Sequence, residues 1–270
     1  MAENKTASYR VEAFNTASAS ENRIHDDDTA RRFGFRGGLV PGVEVYAYMA
    51  HMPVARYGTA WLERGGMECR FLKPVYDGHT AVVLAEDDGE ALAVRVESDG
   101  EVCATGRAFR GSPSSPPPRL DSLPVVPPPA ERQPASLASL AVGRALGIAP
   151  LTIGREGLAR YLADVRETDE LYAREGIVHP GQILRLANAA LMENVVLGPW
   201  IHVGSEVKNF APARLGDRLT LHSRIVANRE HKGHAIVELE ALAIANEATA
   251  VAGIRHSAIW RPRQVTDAAA

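Results

Sequence analysis

The sequence predicts an α+β protein built from two copies of one unit, each an antiparallel sheet wrapped around one buried helix. Three observations predict it. In each half one mostly apolar run at helical spacing, Val43 to Met52 and then Gln182 to Val196, is followed by four strand-like segments separated by turn residues. Landmarks also recur at nearly one offset. The Pro-Gly pairs before the two helices are 139 apart (181 − 42 = 139), and the glycines that end Phe71–Gly78 and Phe210–Gly216 are 138 apart (216 − 78 = 138). Finally, nine of the chain's 17 prolines fall within 111–135 without periodicity. Proline cannot donate to a ladder, so this stretch reads as an extended linker or surface crossing. The organisation expected is a first unit over 1–110, the linker over 111–135, a second unit over 136–263 and a tail over 264–270.

Within the first unit, residues 8–14 (SYRVEAF) read as a short strand, and the helix runs from about Gly42 to Met52 with Pro53 expected to end it. Strands are expected over Met67–Lys73, Thr80–Glu86, Glu90–Glu97 and Glu101–Arg110. The separators Asp87-Asp88-Gly89 and Ser98-Asp99-Gly100 suit antiparallel turns. After the linker, Leu151-Thr152-Ile153 leads into a helical stretch from Arg155 to Val165, and the long second helix follows from Gln182. That helix is apolar nearly all round, which implies burial. Strands near 202–209, 218–227, 233–245 and 248–260 close the chain. Joining the two sheets edge to edge would remove two exposed edges.

Hydrophobic content of 46% with 23% charged residues supports a sizeable core. A net charge of −3, with scattered basic residues, gives no electrostatic reason to expect nucleic acid or an anionic membrane. The first residues lack the apolar core of a signal peptide, and no run reaches a membrane span, so a cytoplasmic location is expected. Cys69 and Cys103 have no metal or redox spacing and read as buried free thiols.

The chemistry points to Ser20-Glu21-Asn22-Arg23-Ile24-His25-Asp26, which leads into the glycine-rich loop Gly37-Gly38-Leu39-Val40-Pro41-Gly42 at a helix start. A helix N-terminus has unpaired N–H donors and a partial positive charge, so it suits a carbonyl or oxyanion. A titratable histidine beside it suits thioester or carbonyl chemistry. Gly37, Gly38 and Gly42 either bring backbone close to a carbonyl or make a tight turn. Asp26, Asp27 and Asp28 read as the acidic first turn of a helix rather than metal ligands. His231 and His234 read as a solvated turn, and no metal site is expected.

The order Asn22-x-Ile24-His25, Ala30, Gly34-Phe35, Gly42, then Phe71-x-x-Pro74-Val75-x-x-Gly78 resembles the MaoC-like hydratases and dehydratases of the hot-dog fold, and the duplicated length resembles their double hot-dog members. The resemblance implies hydration of an enoyl thioester, or dehydration of a 3-hydroxyacyl thioester, carried on coenzyme A or a carrier protein. No further cofactor is implied, and a homodimer of double hot-dogs is one expected assembly. It implies catalytic roles at His25, Asn22, Ser20 and Glu21, and substrate contacts at Gly37, Gly38, Val40, Gly42, Asp164 and His179. The family signature Gly-Asp-x-Asn-Pro-x-His appears here as Ala19-Ser20-x-Asn22-Arg23-x-His25, with serine in place of the aspartate. Glu21 or Asp26 would then orient the imidazole. In the second half Asp164 lies near the aspartate position, while Thr168 or Asp169 falls where the histidine belongs. Two other readings stay open on the same fold: a thioesterase with Glu193 or Asp164 as base, and a non-catalytic acyl-thioester binder.

Overall fold

A computed structural model describes residues 6–111 and 116–263; the 264–270 tail lies outside them. The first half opens with β1 (Ala7–Glu12), a 3₁₀ turn (Arg23–His25), α1 (Asp27–Arg32), α2 (Gly42–Tyr57) and α3 (Thr59–Arg64). It continues through β2 (Gly66–Phe71), β3 (Thr80–Asp87), β4 (Leu92–Ser98) and β5 (Glu101–Phe109). The crossing contributes β6 (Gln133–Pro134). The second half comprises β7 (Leu151–Thr152), α4 (Arg155–Asp164), α5 (Leu171–Glu175), α6 (Pro180–Met192), β8 (Val195–Val196), β9 (Ile201–Asn209), β10 (Arg218–His231), β11 (His234–Ala245) and β12 (Thr249–Arg261).

Ten of these strands form one sheet in the order β1-β3-β4-β5-β2-β9-β12-β11-β10-β7. Each half repeats the same order, and the halves meet where β2 pairs antiparallel with β9, Met67 opposite Val207 and Cys69 opposite Ser205. The seam turns two sheet edges into interior strands. Glu68 faces Glu206 across it, but Arg107 and Arg255 are their partners on the other sides, so the outer face alternates in charge. The sheet wraps α2 and α6, which pack on each other. Buried residues occur all round α2, from Val43 to Val54.

Two helix ends differ from expectation. Pro53 does not stop α2, which runs on to Tyr57 and ends at Gly58 with φ +61°. Proline forfeits one backbone bond, and burial of Pro53 and Val54 against the sheet outweighs that loss. Helix α6 ends at Met192, not Val196. Asn194 donates to the carbonyls of Ala190 and Gly147 there, and Val195–Val196 become a short strand parallel to Gln133–Pro134. The proline-rich crossing also packs: Leu123, flanked by Leu120, covers Leu242, Ile244 and Ala250. These side chains alternate along β11 with the inward Ala241, Ala243 and Ala245 that join the main core. Both cysteines are free and buried. No helix of the described residues is long and apolar enough to cross a membrane.

The halves superpose with one offset. The isolated bridges Leu39–Tyr76 and Ile177–Arg214 occupy matching places (177 − 39 = 138 and 214 − 76 = 138). Helix caps obey it too, Pro41 before α2 and His179 before α6. The two Pro-Gly pairs are therefore not equivalent residues: structurally Gly42 matches Pro180.

Candidate active site

Asn22 caps the 3₁₀ turn and is buried. Its Oδ1 accepts from the backbone N–H of Trp200 at 3.0 Å and of Ile24 at 3.4 Å, while Nδ2 donates to the Trp200 carbonyl at 2.9 Å. Flipping the amide would set like against like, so this cross-half pairing fixes its orientation. The remaining N–H points at His25 Nε2, 3.2 Å away. His25 Nδ1 lies 2.6 Å from the Leu39 carbonyl, which can only accept. Nδ1 therefore carries the proton, and Nε2 presents a lone pair. Burial pushes the His25 pKa below its ordinary value, against the opposing pull of the Leu39 carbonyl. The ring is a neutral base with one proton-accepting atom.

Asp26 caps α1 by accepting from the Thr29 N–H at 3.0 Å, with Asp27 and Asp28 in the first turn. Neither Asp26 nor Glu21 orients the imidazole. Glu21 is an exposed residue that pairs with Arg132 at 2.8 Å, and the orienting groups are Leu39 and Asn22. Ser20 donates to the Asn22 carbonyl at 3.2 Å. Gly38 gives its N–H to Asp27 at 2.8 Å, and a Cβ there would fall 2.1 Å from the His25 carbonyl oxygen. Gly37 also lies against Asp27. These two glycines serve the turn that packs on His25, and the Gly38 N–H is already taken by Asp27. Val40 gives its N–H to Val75 and contributes its side chain to the site wall. Gly42 opens α2 where Pro41 supplies no side-chain cap, so the N–H groups of Gly42 and Val43 have no intrahelical acceptor, while that of Glu44 turns back to the Pro41 carbonyl.

Two cavities meet at this point. Asn22, His25, Pro41, Asn188 and Trp200 line both. One, of about 220 Å³, is walled by Phe35, Leu39, Val40, Phe71, Val75 and Ile259, with Lys73 and His234 also lining it. The other, of about 410 Å³, adds Ser20, Glu44, Gln182 and Arg185 to the apolar Val43, Ile153 and Met192. Behind the smaller cavity, His202 Nε2 donates toward Gly204 and Ser205, and Ser205 contacts His256 at 3.1 Å. Burial pushes the His256 pKa down to about 3 and that of His202 well below the ordinary value, so both rings are neutral. His202 Nδ1 is left against Gly42, where a Cβ would come within 2.8 Å of it.

The second half has no matching site. Before α5 the chain carries Thr168 and Asp169, the latter accepting from the Leu171 N–H, and no histidine. His179 is fully buried and lines neither of these two cavities. Its Nδ1 accepts from the Gly181 N–H at 3.1 Å, capping the helix end that is uncapped in the first half. Its Nε2 meets Glu167 at 3.3 Å, and the same carboxylate takes His51 Nδ1 at 2.7 Å. Burial alone would raise the Glu167 pKa; bonds from His179 and His51 overcome it and hold the carboxyl well below its usual range. Tyr9 stacks on His51 with centroids 3.8 Å apart, closing this side. Asp164, the last residue of α4, is half-buried and acts on Arg185 through its charge. Glu193 accepts from the Ala149 N–H at 2.6 Å beyond the end of α6.

Sequence reasoning missed Glu44, Gln182, Arg185, Trp200, His202 and His234 as lining residues, while Asn188 stands out in the sequence beside Glu193 as a polar position on the second helix. His234, expected in a solvated turn, heads β11 and lines the smaller cavity. Only Arg185, Asn188 and Glu44 carried a signal, as polar residues inside apolar helices.

No protein-family profile and no curated protein sequence matches the chain. Solved structures do. A MaoC domain protein from Chloroflexus aurantiacus, assigned as a dehydratase, matches at 14% identity and TM-score 0.62, over 97% of this chain and 96% of its own. A conserved protein of Mycobacterium tuberculosis, described as a double hotdog fold, matches at 17% identity and TM-score 0.64 over 96% of both. A MaoC-like dehydratase matches at 14% identity and TM-score 0.56, over 96% of this chain and 98% of its own. With the repeated strand order, the two wrapped helices and these whole-length likenesses, the chain is a double hot-dog protein.

Proposed function

We propose that the protein is an enzyme acting on acyl thioesters, which adds water to a trans-2-enoyl thioester or removes it from the 3-hydroxyacyl product. The observation that carries the reading is the neutral His25 Nε2 lone pair at the junction of two cavities, beside the uncapped start of α2. In hydration, Nε2 takes one proton from water as its oxygen bonds to C3. The developing enolate oxygen rests on the free N–H groups of Gly42 and Val43, each donor worth roughly 3–4 kcal/mol. The imidazolium then returns its proton to C2 and the ring is neutral again. One residue thus serves as base and acid, so the serine at position 20 does not break the cycle. The Asn22 N–H must leave the single Nε2 lone pair before the water proton reaches it, and it stays away while the ring is protonated, since an amide N–H cannot accept from it.

The test follows loss of the conjugated enoyl absorbance alongside free thiol release, with wild type and His25→Ala. Enoyl loss without thiol release, reduced by at least about 100-fold in the variant, is the expected result. Thiol release that survives in His25→Ala would instead identify a thioesterase. Binding without either reaction would identify an acyl-thioester binder.

A further inference from the structure

His202 and Ser205 lie three residues apart on β9, a spacing that puts side chains on opposite faces of a regular strand. Both are nevertheless buried, at 5% and 7% exposed. The register explains this. His202 pairs with Ala258 and Gly204 with Ser257, so Val203 is an extra residue on β9. A bulge of this kind re-aims a side chain, and here it turns His202 to the inner face, into the wall of the smaller cavity.

Once there, the ring is held on several sides. Its Nε2 lies 3.2 Å from the Gly204 carbonyl, which can only accept, and 2.8 Å from Ser205 Oγ, so Nε2 carries the proton. Ser205 then gives its own hydroxyl proton to His256 Nδ1 at 3.1 Å. His202 stacks on His256 with centroids 4.1 Å apart, and it meets Phe71 at 64° with centroids 4.7 Å apart. The remaining edge rests on Gly42, where a Cβ would come within 2.8 Å of Nδ1 and 3.1 Å of Cγ. The Nδ1 lone pair has no hydrogen-bond partner and lies against the start of α2, the helix end with partial positive charge. The ring is a fixed stop, and only a residue without a Cβ seats the helix start on it.

We propose that His202 is a positioning residue, whose ring sets where the Gly42 and Val43 N–H groups meet the developing oxyanion. The same strand entry fixes the other side of the site. Trp200, two residues earlier, holds Asn22 through both of its backbone groups, and Asn22 in turn contacts His25. The separation of base and oxyanion donors is thus referred to one short stretch of the half that has no matching site of its own. A misplacement of about 1 Å between such groups can cost on the order of 100-fold in rate. This inference rests on the hydration reading above and adds to it the part that holds the oxyanion donors in place.

Steady-state hydration of short and medium-chain trans-2-enoyl thioesters of coenzyme A tests it on the full chain, with kcat read apart from KM. Wild type is compared with His202→Ala, Gly42→Ala and the double variant, each checked for folding by circular dichroism. His202→Ala is expected to lower kcat at least about tenfold while KM moves less than about threefold, because the donors matter most as charge develops. Gly42→Ala is expected to lower kcat at least about tenfold in wild type, where its Cβ meets the ring. In the His202→Ala background only a 3.2 Å approach to the Cβ at position 202 remains, so the further loss is expected to be about threefold or less. The acid limb of kcat/KM is expected to stay where it is in His202→Ala, since the titrating proton belongs to His25. Ser205→Ala, which frees Nε2 from its nearer partner, keeps the test valid where His202→Ala fails to fold, with kcat expected to fall about threefold or more. Wild-type kcat in folded His202→Ala or Ser205→Ala, or equal Gly42→Ala losses in both backgrounds, overturns the positioning role and leaves the hydration reading standing. Absence of hydration by wild type overturns that reading, and the positioning role with it.

Discussion

Asn22→Ala tests the geometry most directly, because one side chain ties His25 to the opposite half of the molecule. The substitution removes the acceptor of the Trp200 N–H, bonded at 3.0 Å, and the donor to the Trp200 carbonyl, at 2.9 Å. Trp200 is 3% exposed, so both backbone groups are left without partners in a buried place. At about 1–3 kcal/mol for each orphaned group, the loss is roughly 2–6 kcal/mol, toward the lower figure where cavity water reaches them. Urea denaturation read by linear extrapolation measures it, with an unchanged slope showing that the comparison holds. The same variant frees His25 Nε2 from an N–H that opposes protonation. Histidine resonances followed by NMR are therefore expected to show the His25 pKa moving up toward the ordinary value of about 6.5. A stability loss under about 0.5 kcal/mol with an unmoved His25 titration would refute the cross-half tie.

Two further outcomes follow from the titrating groups. Hydration requires neutral His25, and burial holds its pKa below the ordinary value. The acid limb of kcat/KM is therefore expected below about pH 6.5, and a limb centred above about pH 7 would assign the proton to another group. Glu167→Gln leaves His51 and His179 without their shared carboxylate, whose side chain is 2% exposed. Losing charge-assisted hydrogen bonds of this kind costs about 1.5–3 kcal/mol. Because the folded pKa of Glu167 is depressed, its contribution is complete above the unfolded carboxyl value of about 4.3 and shrinks as pH falls below it. The stability gap between wild type and variant, from denaturation at pH 7 and pH 3, should therefore narrow on acidification; a gap equal at both pH values would contradict the pairing.

Local pattern carried most of the fold because it depends on neighbours in the chain. Period-2 burial on β3 and β4, and turns at Gly89 and Gly100 with positive φ, are written in short segments. The places where expectation and structure part are those where distant packing wins. Pro53 stays helical because the sheet buries it, and the run after Met192 is diverted by Asn194 bonding Gly147, 47 residues away. The offset of the repeat could be read to within one residue, but only the bridge positions showed that Pro41 matches His179.

By itself, the sequence determined that the chain is duplicated, that each unit wraps a helix in an antiparallel sheet, and that His25 and Asn22 stand at a glycine-rich helix start. Those are statements about spacing and periodicity, and spacing survives without coordinates. Only the tertiary structure decided which atoms of His25 face which partners, that Trp200 from the other half holds Asn22, and that Glu21 turns away to Arg132. It also decided that the matching place in the second half is closed by His179 and Glu167 together with His51 and Tyr9 from the first half. Each of these depends on side chains brought together from up to 178 residues apart, as Asn22 and Trp200 are. Proximity of that kind is fixed by how the sheet closes around its two helices.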